Sequence, residues 1–181
     1  MERIADHRRL NGDVRAASAV ALDYRELESP VGPLHLVASR AGLCALAFDD
    51  RWDGARAPLA RRFGSLRLVA GSMADIAGRL RAYFEGEVDA LADIPVDVEG
   101  TPFQRRVWEA LRNIPAGATQ SYAELARAIG SPRAVRAVGA ANGANPVAIV
   151  IPCHRVIAAG GGLGGYSGGL WRKRRLLAHE A

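Results

Sequence analysis

Lysine is almost absent from this chain: of its 24 basic residues, Lys173 alone is not arginine. Cysteine is equally scarce. Cys44 and Cys153 stand far apart, which excludes both a disulfide framework and a cysteine-rich zinc pattern. An unpaired thiol of that kind fits a reducing compartment. Long apolar runs are missing too. The short patch Ala16 to Leu22 stops at Asp23, is too short to span a bilayer, and follows acidic residues that a signal peptide lacks. A cytoplasmic protein is expected, with a loosely ordered first dozen residues.

What is present describes a soluble globular chain. Its 181 residues, 49% hydrophobic and 24% charged, leave room for one domain or two small ones and do not suit disorder. The net charge of +5 has two readings. Arg, Ala and Gly are plentiful together, as GC-rich coding produces, or the charge serves attraction to a polyanion.

The first half reads as strands with one helix. Residues 20–27, 34–38 and 43–48 have the length and apolar content of short strands, with Ser39 to Gly42 as a hairpin turn between the last two. Leu66 to Val69 could join them. Ser72 followed by Asp75 suggests a capping box for a helix carrying Met73, Ile76, Leu80, Tyr83 and Phe84. Cys44 reads as a small core side chain. Residues 87–100 are acidic, contain Pro95 and lack a period, as a connection does.

The second half changes character. Phe103, Val107, Leu111 and Ile114 share a helix face that ends at Pro115-Ala116-Gly117. Ser121 to Glu124 is a capping box opening a helix that ends at Gly130. Ser131-Pro132 then suggests the start of the next helix, Arg133 to Gly143. Two short helices about one turn apart outline a helix-turn-helix. The second is almost entirely Ala, Gly and Arg, a face that allows close approach to another surface or tight packing within its own domain. Val147 to Ile151 reads as a buried strand leading into Pro152-Cys153-His154-Arg155. A glycine-rich loop, Ala158 to Gly169, and a helix from Leu170 follow.

Cys153 beside His154 invites several chemistries. Zinc needs three or four ligands in spaced pairs, and adjacent residues of an extended chain point apart. His7, His35 and His179 offer no such spacing, so no metal and no cofactor are expected. A protease dyad lacks a recognisable distant histidine, and a CxxC pair is absent. The glycine loop matches neither a Walker A nor a dinucleotide fingerprint. There remain a thiol whose reactivity depends on its pKa, a histidine next to it, and Glu180 at a helix C-terminus, where the dipole disfavours a carboxylate and a specific partner is therefore implied.

Together these residues resemble the O6-alkylguanine-DNA alkyltransferases. The resemblance runs from Thr101 to Glu180, through TPFQRRVW, IPAGATQSYAELA, the R-A-V-G of the second helix, ANGANPVAIVIPCHRVI, GGLGGYSGG and LLAHE. Upstream it is weaker and rests on SPVGPLHLVASRAGLCALAF. It implies a small α/β N-terminal domain (mainly antiparallel sheet with helix), residues 1–95, and a mainly α C-terminal domain with the helix-turn-helix, residues 96–181.

The resemblance also assigns roles. Cys153 would accept the alkyl group of O6-alkylguanine, and of O4-alkylthymine, irreversibly and once per molecule. His154 would take its proton through a water, Glu180 would hold His154, and Asn145 would tie the nucleophile to the recognition helix. Tyr122 would crowd a phosphate and protonate the departing guanine. Arg136 would fill the stack left by the flipped nucleotide, with Ala137, Gly139, Ala140 and Asn142 on the DNA-binding face in the minor groove. Val156 backbone, Tyr166 and Ser167 would line the base pocket. The expected partner is double-stranded DNA, bound by a monomer. The rival readings are an alkyltransferase-like module that binds the lesion without transfer, and a thiol hydrolase unrelated to DNA.

Overall fold

A computed structural model describes residues 19–181; the expectation for the first dozen residues falls outside them. Three strands, β1 (Val20–Leu27), β2 (Leu34–Ser39) and β3 (Gly42–Phe48), form an antiparallel meander. A fourth, β4 (Leu66–Ala70), pairs parallel to β1, giving the order β3-β2-β1-β4. Side chains alternate across β2 as the pleat requires. Leu34, Leu36 and Ala38 enter the main core, while Val37 joins Leu22, Cys44, Ala45 and Leu59 on the opposite face. His35, on that opposite face, stacks on Trp52 and bonds Tyr24 and Asp49, a satisfied core histidine.

The parallel β1–β4 pair needs a crossover, and helix α1 (Trp52–Phe63) supplies it. Sequence reasoning missed this helix. It contains Gly54 and Pro58, buries only Leu59, and so offers little helical periodicity to read. The next helix, α2 (Ala74–Phe84), begins two residues after the expected capping box. Met73 caps it in the left-handed region (φ 34°) with no side-chain bond. The Ser72 carbonyl accepts from Arg25, and Asp75 pairs with Arg79 one turn on. Long-range partners outcompeted the local cap.

Four helices form the second half: α3 (Pro102–Arg112), α4 (Tyr122–Ala128), α5 (Val135–Gly143) and α6 (Leu170–His179). Capping boxes open α3 (Thr101 with Gln104) and α4 (Ser121 with Glu124). The expected Ser131-Pro132 start of α5 is not realised. Residues 131–134 close a turn, Ala134 N–H to Ser131 O at 2.9 Å, and the helix starts at Val135. Trp108 of α3 donates its indole N–H to Ala141 O at 2.9 Å, locking α5 in place.

The expected strand at 147–151 is also absent. Val147 makes a single bridge to Leu46 on the edge of β3, and the run then turns back on itself, Ile151 N–H to Val147 O. Val147, Ile149, Val150 and Ile151 are buried as their apolarity demands, but Pro146 and Pro152 bracket too short a segment to extend a ladder. Ile149 adopts φ 69°, a strained conformation for a β-branched residue that its near-complete burial enforces. The main core runs unbroken from Leu27 and Leu36 of the sheet to Leu176 of α6, so sheet and helices share one apolar interior. Among the described residues no helix is long and apolar enough to cross a membrane.

Candidate active site

Cys153 lies not at a strand end but at the start of a 3-10 turn, Cys153–Arg155, which the two-residue strand β6 (Val156–Ile157) continues. That strand pairs parallel with β5 (Gln120–Ser121), immediately before α4. The thiol segment and the helix-turn-helix are therefore stitched together by backbone. The turn also removes the alternation of an extended chain, so Cys153 and His154 are placed by their own partners.

Asn145, just past α5, holds the thiol. Its Nδ2 donates to Ile151 O at 2.8 Å and to Cys153 Sγ at 3.1 Å, while its Oδ1 accepts from Val147 N–H at 3.0 Å. Cys153 is buried, and burial pushes its thiol pKa up; the Asn145 bond and the charge of Lys173 pull it partly back.

His154 is fully buried and bonds Glu180 Oε1 through Nε2 at 2.8 Å. Burial drives the Glu180 carboxyl up. The hydrogen bonds from His154, Arg155 and the Tyr83 hydroxyl outweigh it and bring the pKa to about 2. An ionised carboxylate only accepts, so the proton sits on Nε2 and the buried Nδ1, which has no protein partner, carries the lone pair. Burial also lowers the His154 pKa, keeping the ring neutral and basic at pH 7.

The partner of Arg155, unreadable in the sequence, is the same carboxylate. Arg155 Nε reaches Oε2 at 2.8 Å, Nη2 reaches Oε1 at 2.9 Å, and Nη1 donates to Ile114 O. Tyr83 of α2 adds its hydroxyl to Oε1 at 2.7 Å. Glu180, at the end of α6, thus gathers four bonds from α2 and the Cys153 turn. Tyr83 escaped the sequence reading because its spacing within α2 marked only a core position.

Lys173 was missed as well, yet its uniqueness among so many arginines was a usable signal. It stands in a run of basic residues, Arg172 to Arg175, yet Lys173 is fully buried and Arg172 nearly so. Its Nζ donates to the carbonyls of Val156 and Gly165, bridging the Cys153 segment to the glycine loop. A compact ammonium fits where a planar guanidinium would not. Burial lowers its pKa and the neighbouring Cys153 raises it.

Lys173→Met removes that ammonium charge from the neighbourhood of the sulfur. The Cys153 thiol is expected to titrate at higher pH, read as the pH dependence of iodoacetamide labelling, with peptide masses separating Cys153 from Cys44. Stability should drop by about 1–3 kcal/mol as two carbonyls lose their donor. An unchanged labelling profile means that this charge does not reach the sulfur.

Tyr122, Gly139, Asn142, Gly143, Gly165, Tyr166 and Ser167 line a cavity of about 170 Å³ beside the turn. Tyr122 donates weakly to Gly165 O (3.4 Å), and a Cβ on Gly164, at φ 67°, would press on the Tyr122 ring at 3.2 Å. Burial pushes the Tyr122 and Tyr166 phenols up, and nearby Cys153 adds to both shifts. The Tyr166 hydroxyl is buried close to Cys153 without meeting a partner at hydrogen-bonding geometry. A Cβ on buried Gly168 would lie 2.3 Å from the Phe48 ring, so only glycine lets the loop close over the sheet. A larger groove, about 600 Å³, lies between α1, β3 and Gly143–Pro146; it shares Gly143 and Ser167 with the small cavity and is also lined by Asn145.

On α5, Arg136, Ala137 and Ala140 face outward and Gly139 is half-buried above Tyr122. Asn142 is a correction: it is buried, with 4% of its surface exposed, and belongs to the cavity rather than to the outer face. The helix period places it one turn below the exposed residues, on the inner side with Val138. Among the described residues no cluster of three His, Cys, Asp or Glu could hold a metal.

Comparison with known proteins agrees with this geometry. Residues 22–98 match the family described as 6-O-methylguanine DNA methyltransferase, ribonuclease-like domain, and residues 102–181 match its DNA binding domain. A methylated-DNA–protein-cysteine methyltransferase of Mycolicibacterium paratuberculosis is 48% identical over 88% of this chain and 92% of its own. One from Shigella flexneri is 40% identical over 86% and 93%. Among solved structures, Mycobacterium tuberculosis O6-methylguanine methyltransferase is similar with a TM-score of 0.75 at 43% identity, covering 88% and 92%. The M. tuberculosis OGT–DNA complex gives 0.74 at 45%, covering 87% and 92%. The chain belongs to the O6-alkylguanine-DNA alkyltransferase family, the methylated-DNA–protein-cysteine methyltransferases.

Proposed function

We propose that this protein reverses alkylation of guanine O6 in duplex DNA by moving the alkyl group to Cys153. The observation that carries the reading is the buried thiol held by Asn145, beside a neutral His154 whose Nε2 is locked on Glu180 and whose Nδ1 is left to take a proton. The thiol proton passes to Nδ1 through a bridging water. Sγ attacks the alkyl carbon, a C–S bond forms, the C–O bond breaks, and its electron pair returns to the guanine. Tyr122 protonates the departing base and is reprotonated in turn, so the thiol proton is replaced by the alkyl group and the base gains a proton. Nothing at the site hydrolyses a thioether, which makes the reaction single-use.

A base in a duplex is out of reach of a buried thiol, so the nucleotide is extruded at a cost of a few kcal/mol. Arg136 fills the space it leaves. The small outward residues Ala137 and Ala140, with Gly139, allow α5 into the narrow minor groove, and exposed Arg127 and Arg133 meet phosphates. Tyr166, Ser167 and the Val156 backbone complete the lesion pocket. In this reading residues 96–181 carry the DNA site and the acceptor, the described part of the 1–95 domain, residues 19–95, braces it through the shared core, and the protein acts as a monomer in the cytoplasm. O4-alkylthymine is a second substrate.

Intact mass after incubation with a duplex containing O6-methylguanine tests the reading. One methyl replacing one hydrogen on Cys153, lost in Cys153→Ala, is the expected result. Unchanged mass with tight binding would instead indicate a module that marks the lesion for other factors, and repeated turnover without modification a hydrolase.

A further inference from the structure

Asn142 is the one lining residue of the small cavity whose carboxamide is buried and only half used. Its Nδ2 donates to Cys153 O at 3.4 Å, which fixes the orientation of the amide. The opposite atom, Oδ1, is buried with no partner among the described residues. A buried acceptor left unpaired is costly, and a leucine or methionine would fill the same volume without that cost. The site therefore keeps an acceptor for something that enters it.

An amide oxygen can only receive a hydrogen, so the entering group must bring an N–H or O–H. On O6-alkylguanine the choice is narrow. Alkylation at O6 removes the N1 hydrogen, leaving N1, N3 and N7 as acceptors and the 2-amino group as the only nitrogen donor of the base. O4-alkylthymine has no N–H at all. We propose that Asn142 Oδ1 accepts from the 2-amino group of the extruded guanine, and that this residue sets the preference for guanine over thymine lesions. The 2-amino group has a second hydrogen, which the Val156 carbonyl can take on the lone pair that Lys173 leaves. Because the same side chain holds the carbonyl of Cys153, reading the base and seating the nucleophile are coupled through one amide.

This inference rests on the cavity being the lesion pocket, and the experiment separates the two. Single-turnover rates are measured on duplexes carrying O6-methylguanine or O6-methylhypoxanthine, the same lesion without the 2-amino group. The wild-type protein is expected to prefer guanine by on the order of tenfold or more, and Asn142→Leu to lose about tenfold of that preference. On O4-methylthymine the variant should lose the least. Equal slowing on both purine lesions, with the ratio kept, would mean that Asn142 merely supports the Cys153 backbone and would overturn the proposal. Should the substitution halt the chemistry, the same ratio is read as duplex affinity in a Cys153→Ser background, with and without Asn142→Leu. Methylation of Cys153 on neither duplex by the wild type would defeat the lesion-pocket reading itself.

Discussion

Glu180→Leu is expected to cost about 3–5 kcal/mol of stability, because it strands the buried Arg155 guanidinium without its counter-charge. No other side chain of the site binds as many partners: His154, Arg155 twice, and Tyr83 all converge on its two oxygens. Denaturant unfolding measures the loss directly. Tyr83→Phe removes one neutral donor and should cost only about 1 kcal/mol, so the pair of values separates ionic from hydroxyl contributions. A Glu180→Leu protein as stable as the wild type would show that the carboxylate does not hold this region together.

The pH dependence has a definite direction. Folding lowers the Glu180 pKa from its ordinary 4.5 to about 2, so its stabilisation is complete above 4.5 and is lost as pH falls toward 2. Folding also lowers the pKa of His154 by burial. Below about 6.5 the unfolded chain takes up that proton while the native ring resists it, so stability again falls toward acid. Both groups act with the same sign. In Glu180→Leu the decline between 4.5 and 2 should be shallower by one proton, which stability measured across that window would reveal. The thiol reaction should fail in the same variant, since His154 loses the acceptor that fixes its tautomer.

Sequence and structure agree where the signal is local or carried by contiguous motifs. The three meander strands alternate or bury in short runs, and the Ser121 and Glu124 box opens α4 where its chemistry places it. The Cys153–His154–Glu180 grouping was legible through resemblance and through one physical oddity, a carboxylate at a helix C-terminus. The misreadings share a cause: tertiary contacts overrode local preference. Val147–Ile151 is as apolar as a strand, yet it is a turn forced against β3, with Ile149 held in an unfavourable conformation. Asn142 sits in a helix whose small residues suggested an outward face, but polarity does not reveal that an amide is needed inside. Tyr83 reaches the site from an element some 97 residues from Glu180, and Lys173 folds back from α6 to carbonyls 8 and 17 residues upstream. Neither periodicity nor motif spacing records such a bond.

On the proposed mechanism Arg136→Ala should slow repair in duplex DNA by about ten- to hundredfold, because extruding a nucleotide costs a few kcal/mol and the arginine would offset part of that by filling the gap. Its reaction with free O6-benzylguanine should stay within about twofold of wild type, since a free base needs no extrusion. Arg136 lies exposed on α5 and takes no part in the bonds of Asn145, His154 or Glu180, so the substitution leaves those contacts intact. Arg133→Ala supplies the contrast. A residue that only meets a phosphate should weaken binding to all duplexes alike and reduce the salt slope by about one unit. Arg136→Ala should act mainly on the extrusion step, read with a fluorescent base analogue beside the lesion. Equal slowing on duplex and free base would remove the stack-filling role and place Arg136 among the residues that merely maintain the pocket.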